Sequence, residues 1–189
     1  RCSSMCAESM SSSALSVLMV ASEAQPYAKT GGLADVVGAL PGALARLGHA
    51  VTVVMPRYRQ VGAVGPAERQ VTLTMGGRSF DVGLVEVGRG PRQRVVFVEC
   101  DELYDRDGIY GADGHDHADN AVRFALLARA ALEYAAGLDT PPSLVHAHDW
   151  QTGLVPVLLR TRYSADPAWR RIPSVFTIHN LAYKGLFPA

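Results

Sequence analysis

Ser16-Val17-Leu18-Met19-Val20-Ala21, followed by the polar loop Ser22–Thr30 and then Gly31-Gly32-Leu33, decides the fold of this chain. An apolar run short enough for a strand, about Val17–Ala21, gives way to a loop carrying Glu23, Pro26 and Lys29. A helical pattern follows, with Leu33, Val36, Val37, Leu40, Leu44 and Leu47 at spacings of three and four. Pro41 falls inside it and is expected to kink or split the helix, because proline removes a donor and crowds the preceding turn. Gly48 suits the residue after the helix end, and Ala50–Met55 reads as a second buried strand stopped by Pro56. Strand, helix and strand in this order make a βαβ unit with a right-handed crossover.

The glycine pair sits where a strand hands over to a helix. The first amides of a helix have no intrahelical partner and favour an anion. Lys29 adds a positive charge beside them. Gly31-Gly32 is thus either a seat for a phosphate or diphosphate or a tight structural turn; it is neither a Walker A loop nor a GxGxxG fingerprint. Asp35, in the first turn, suits the helix dipole.

Two further polar clusters follow apolar runs. His146-Ala147-His148-Asp149-Trp150 comes after Ser143-Leu144-Val145, and His179-Asn180 comes after Val175-Phe176-Thr177-Ile178. Ligands of open parallel sheets bind at the carboxyl ends of the strands, so the three clusters are expected to meet along one sheet edge. His146 and His148 share a strand face, with His148 nearer the carboxyl end. His146 reads as a core histidine; His148 and Asp149 are the site candidates. Trp150 reads as a core anchor or a sugar platform, and His179-Asn180 as a donor and acceptor pair or as loop hydrogen bonding.

The middle of the chain has another texture. Val71–Met75 and Phe80–Val87 flank Gly76-Gly77 as a hairpin whose connection Arg78-Ser79 lengthens, and Val95–Glu99 is another strand. This antiparallel insertion is expected on one side of the parallel sheet. Asp101–Asn120 is a Gly- and Asp-rich loop with Tyr104, Tyr110, His115 and His117, read as a solvated loop or lid rather than a metal site. Ala121–Ala136 is a strong helix whose apolar face is Phe124, Leu127, Ala128, Ala131 and Ala135, with Arg129 and Glu133 pairing on the opposite side in water. Gly137 ends it. Ser143–Ala147 is a strand, Thr152–Arg160 a helix and Ser174–Ile178 a strand, so the alternation points to a doubly wound α/β sheet.

The 189 residues suffice for one domain with a core. Lys+Arg 18 balances Asp+Glu 18 without basic clusters, which argues against nucleic acid or an anionic membrane as partner. No apolar run approaches the roughly 20 residues of a membrane helix. Cys2, Cys6 and Cys100 have no metal-ligand spacing with histidines, and free thiols in a reducing compartment are expected. Residues 1–14 are Ser-rich and expected to be a disordered leader, and the chain, which starts at Arg1 and stops at Ala189, is expected to be a fragment.

Several blocks together resemble one family. The run Ser22-Glu23-Ala24-Gln25-Pro26-Tyr27-Ala28-Lys29-Thr30-Gly31-Gly32-Leu33-Ala34-Asp35 to Pro41 is similar to the N-terminal signature of bacterial glycogen synthases and plant starch synthases. Val145–Thr152, Phe176–Gly185 and the tract from Tyr104 to Leu127 resemble further blocks of it, in the family's order. The resemblance covers nearly everything from residue 16 to 187. It implies a GT-B glycosyltransferase of two Rossmann-like domains with the active site between them. Residues 15–189 would be the first domain, truncated at its C-terminal end, with the second domain absent. The implied reaction is retaining transfer of glucose from ADP-glucose to the non-reducing end of an α-1,4-glucan, with no cofactor or metal. Lys29 and the Gly31 and Gly32 amides would face the diphosphate. His179, against the donor glucose, and Asp149 would be the catalytic residues; Asp149, Trp150, Asn180 and Tyr110 would line the sugar subsites, and Asp35 and His148 would also bind substrate. By the same resemblance the isolated chain would be inactive without its second domain. A bacterial cytoplasmic glycogen synthase is expected, with a plastid enzyme as the alternative. Two other readings are kept: a GT-B transferase of another nucleotide sugar, against which Lys29–Leu33 argues, and a domain that binds glucan only.

Overall fold

The computed structural model describes residues 13–187; the expected disordered leader lies almost wholly outside the described residues. The elements run β1 (Ser16–Val20), α1 (Gly32–Arg46), β2 (Ala50–Pro56), β3 (Arg69–Met75), β4 (Arg78–Gly90), β5 (Gln93–Glu99), α2 (Asp101–Tyr104), β6 (Gly111–Ala112), β7 (His115–Asp116), α3 (Asn120–Ala136), β8 (Leu144–His148), α4 (Leu154–Thr161), α5 (Pro167–Arg170) and β9 (Ser174–Thr177).

Seven strands form one sheet in the order β3-β4-β5-β2-β1-β8-β9. The β5-β2-β1-β8-β9 portion is parallel, and β4 and β3 continue it antiparallel at one edge. Val17 lies between Val51 and Leu144 in register. Val17, Leu18, Met19 and Val20 are all buried. Successive residues of a strand face opposite ways, so both faces of the sheet are covered at β1.

The insertion departs from the sequence expectation in two ways. The strand around Val95–Glu99 is not part of an antiparallel appendage: it pairs parallel with β2, Val53 opposite Val95, and belongs to the main sheet. The hairpin is also tighter. Gly76 and Gly77 both take positive φ, 56° and 77°, and Met75 pairs directly with Arg78. Two consecutive positive φ values make the two-residue turn whose twist suits a hairpin, so Arg78 and Ser79 belong to the strand.

Helix α1 runs unbroken through Pro41. The fixed φ of proline is already helical, and the buried ring joins Leu33, Ala34 and Val37 in packing that offsets the lost donor. Val36 and Leu47 are exposed, at the cleft and the helix end. Helix α3 is buried far beyond one face, because it lies on the sheet and is covered in turn by α4. Its five predicted apolar residues are in the core. Arg129 and Glu133 do pair, 3.6 Å apart, but mostly out of water, with the Tyr163 hydroxyl donating to Glu133 at 2.7 Å.

Candidate functional site

Strands β1, β8 and β9 are parallel neighbours, so their carboxyl ends open on one edge. A cleft of about 660 Å³ lies there, and Gly31, Gly32, Tyr110, Asp149, Trp150, His179 and Asn180 all line it. Glu23, Thr30, Asp116, Asn120, Gln151 and Tyr183 complete most of the wall.

The glycine turn is built for open backbone. Gly31 caps α1 in an extended conformation that any residue adopts. A Cβ on Gly31 or Gly32 would meet nothing within 4 Å, and both residues line the cleft as bare backbone. The Thr30 and Gly31 amides do not point freely, however. Both donate to the Glu23 carboxylate, Gly31 at 3.4 Å. The first unclaimed helix-start amides therefore begin at Gly32. Lys29 stands at the rim rather than in the lining. Its Nζ donates to both oxygens of Asp35, at 2.7 and 2.9 Å, and Gln25 Nε2 donates to the same carboxylate at 2.8 Å. Lys29 and Asp35 are about half exposed.

Asp149 is held in a conformation that side chains rarely adopt, φ 57° and ψ 178°. Its amide donates to the Thr177 carbonyl at 2.9 Å, and its Oδ1 accepts from the His179 amide at 2.6 Å. Its carbonyl accepts from the Thr152 amide and hydroxyl. Backbone strain of this kind persists only where the surroundings over-determine it. Here it locks the ends of β8 and β9 together and sets where His179 begins.

Three histidines stack from the cleft wall inward. His146 and His148 have ring centroids 4.0 Å apart, and His148 and His179 5.2 Å. His148 Nδ1 lies 2.9 Å from His179 Nε2, and His146 Nε2 lies 2.8 Å from Thr177 Oγ1. His148 is fully buried and does not line the cleft; it supports His179 from beneath. Burial, then the neighbouring His146 and His179, pushes its imidazole down to about 3. Burial also lowers His146, with His179 adding to it. Both are neutral at pH 7, and the tautomers decide which ring donates along the His148–His179 contact.

Trp150 is both wall and anchor. Phe124 meets its ring edge-on at 5.2 Å, Phe187 tilts against it at 5.6 Å, and the Gly185 backbone lies so close that a Cβ there would strike the indole. Asn180 Oδ1 accepts from the Ala182 amide at 2.9 Å. Among the described residues no group of three or more His, Cys, Asp or Glu is placed to hold a metal. His115 Nδ1 lies 3.0 Å from the Asp113 carbonyl, and the His117 amide donates to the Tyr110 carbonyl while its imidazole Nε2 is buried without a hydrogen-bond partner.

Two organising residues lie within the recognised blocks but were not among the predicted site residues. One is Glu23; its local signal is a carboxylate placed just past a strand end, seven residues before Thr30. The other is Arg123, fully buried in α3. It donates to the Leu103 and Ile109 carbonyls at 2.8 Å and to Asn120 Oδ1 at 2.6 Å, while Asn120 Nδ2 donates to the Tyr110 carbonyl at 2.7 Å. The loop that presents Tyr110 thus hangs on α3. Burial pushes the Tyr110 phenol far above its ordinary range, with Tyr58 and Glu23 adding to it, so it remains a protonated donor.

Comparison with known proteins agrees with this geometry. The starch synthase catalytic domain family matches residues 16–189. The chain is 44% identical over 179 residues to Glycogen synthase 2 of Geobacter sulfurreducens, covering 93% of this chain and 37% of that protein. It is 49% identical over 175 residues to the glycogen synthase of Anaeromyxobacter dehalogenans strain 2CP-1, covering 92% and 36%. A solved structure, the catalytic domain of starch synthase IV from Arabidopsis thaliana bound to ADP and acarbose, superposes with a TM-score of 0.76 at 30% identity, covering 90% of this chain and 35% of that one. The chain spans little more than a third of the length of the curated relatives it matches.

Proposed function

This chain belongs to the starch synthase catalytic domain family, and from that premise we propose that it forms the first Rossmann-like part of a GT-B glycogen or starch synthase. At the relatives' length the protein would transfer glucose from ADP-glucose to the non-reducing end of an α-1,4-glucan, retaining the anomeric configuration. The observation that carries the reading is the single cleft in which Gly31-Gly32, Asp149-Trp150 and His179-Asn180 converge from three strand ends. The bacterial relatives favour a bacterial glycogen synthase acting in the cytoplasm. No described helix is long and apolar enough to cross a membrane.

The chemistry follows from the charge that develops. As the nucleoside diphosphate departs, negative charge grows on its oxygens, and preorganised donors stabilise it most. The amides from Gly32 onward and the Lys29 ammonium are the donors suited to it. An exposed ion pair such as Lys29–Asp35 is worth little in water, so Lys29 is free to exchange Asp35 for a diphosphate. His179 is the group proposed against the donor glucose, its amide set by Asp149 and its ring by His148. Tyr110, Asp149, Trp150 and Asn180 supply the sugar-facing wall.

The test is glucan extension by the protein at its natural length, with ADP-glucose and UDP-glucose in competition, in wild type and Lys29→Gln. Losing a charge-assisted contact to the leaving group should lower kcat/KM for the donor by roughly 10–150-fold, with glucan binding unchanged. Wild-type kinetics in the variant would remove Lys29 from the site. Glucan binding without transfer from either donor would favour a glucan-binding domain instead.

A further inference from the structure

We propose that Glu23 is a positioning residue that fastens the glycine turn to Tyr110 through its role as a hydrogen-bond acceptor, and that its negative charge is dispensable. The inference rests on the glycogen or starch synthase reading for its kinetic readout.

Glu23 is 2% exposed yet lies on the cleft wall. A buried carboxylate is costly unless its lone pairs are filled. Among the described residues it forms no ion pair; its partners are all neutral donors. They divide by oxygen. Oε2 accepts from the Thr30 and Gly31 amides, the latter at 3.4 Å. Oε1 accepts from the Thr30 hydroxyl at 2.8 Å and from the Tyr110 hydroxyl. Tyr110 is in turn 2.8 Å from the Ser22 hydroxyl. One side chain therefore ties the start of α1 to the loop ahead of α3, two segments that both line the cleft.

The division has a chemical consequence. An amide N–H only donates, so the Oε2 position must remain an oxygen. A hydroxyl donates or accepts, so the Oε1 position serves equally well as an NH2 group. Glutamine fits this pattern. Its oxygen takes the two amides, its two N–H bonds point at Thr30 Oγ1 and Tyr110 Oη, and both hydroxyls reverse. Alanine fits nothing and releases both segments. A group acting through its charge, as a base or as a counter-ion to a cationic sugar, would respond in the opposite way, with glutamine as damaging as alanine.

The experiment compares Glu23→Gln, Glu23→Ala and wild type in the natural-length protein. It measures glucan extension with varied donor, thermal melting, and hydrogen exchange at the Thr30 and Gly31 amides. Glu23→Gln is expected within about threefold of wild type in kcat and donor KM, a span of under 1 kcal/mol. Glu23→Ala is expected to lose about 100-fold in kcat/KM, the scale of a small misplacement of positioned groups, and to exchange both amides at least about tenfold faster. A folded Glu23→Gln protein without turnover would overturn the proposal, as would wild-type kinetics or unchanged amide exchange in Glu23→Ala. Should Glu23→Ala fail to fold, the Glu23→Gln comparison decides alone. A wild-type protein that transfers no glucose defeats the functional reading, and the exchange measurement still judges the clamp.

Discussion

His148 shows how a residue can serve a site without entering it. Its ring is buried between His146 and His179, and burial keeps it neutral with its pKa at about 3. In the unfolded chain the same imidazole titrates near 6.5. Above that pH both states are neutral and His148 contributes no pH dependence. Below it the unfolded chain takes up a proton that the folded chain refuses, so stability falls as the pH drops from 6.5 toward 3. The slope is at most about 1.4 kcal/mol per pH unit from this one group, and His146 adds to it in the same direction. Urea unfolding at pH 7, 6 and 5 should show this loss, and His148→Gln should show a shallower one. Equal slopes in the two proteins would mean that His148 is not held neutral by the fold. His148 was legible as a strand-end residue from the alternation of Val145, His146, Ala147 and His148. That it would support His179 rather than face a ligand was not legible, because ring stacking across two strands depends on register.

At the scale of elements, most of the sheet could be read from periodicity, since β1, β2, β8 and β9 are short apolar runs separated by helical spacing. Helix α3 could be read as a helix but not as a buried one. Its arginine at position 123 sits one turn after Asn120, and its partners are the carbonyls of Leu103 and Ile109. Loop carbonyls leave no mark in a sequence pattern, so this anchor was invisible before the fold was seen. It has a measurable consequence. Arg123→Met keeps length and apolar volume but leaves buried acceptors at Leu103, Ile109 and Asn120 unpaired. Each such group costs about 1–3 kcal/mol, so the chain should lose on the order of 3 kcal/mol or more in urea unfolding. The damage should be local as well, with faster hydrogen exchange around residues 103–110. A variant as stable as wild type would show that the guanidinium is replaceable packing.

Over the whole molecule, the rule that parallel strands gather their carboxyl ends on one edge brought together residues as distant as Gly32 and His179. Glu23 also follows that rule, standing just past the end of β1 on the cleft wall, but its partners on two loops were not legible. The same topology leaves β9 at the end of the sheet, paired only with β8 among the described residues. Val175 and Phe176 are neighbours on this strand and face opposite ways, yet both are more than 40% exposed. Strand β1, by contrast, is buried on both faces. Ile178, Leu181, Tyr183 and Leu186 continue the exposed apolar run in sequence beyond the strand. An apolar edge strand with free backbone groups is a template for pairing with another chain. The 189-residue chain is therefore expected to associate with itself as its concentration rises, through β9. Sedimentation velocity over a concentration series should show a rising mean mass. Phe176→Lys places a charge on that strand and should shift the association to higher concentration without lowering the melting temperature by more than a few degrees, since the side chain it replaces is already half in water. A chain that sediments as a monomer throughout, or a variant that associates as readily as wild type, would show that the exposed strand is not the contact.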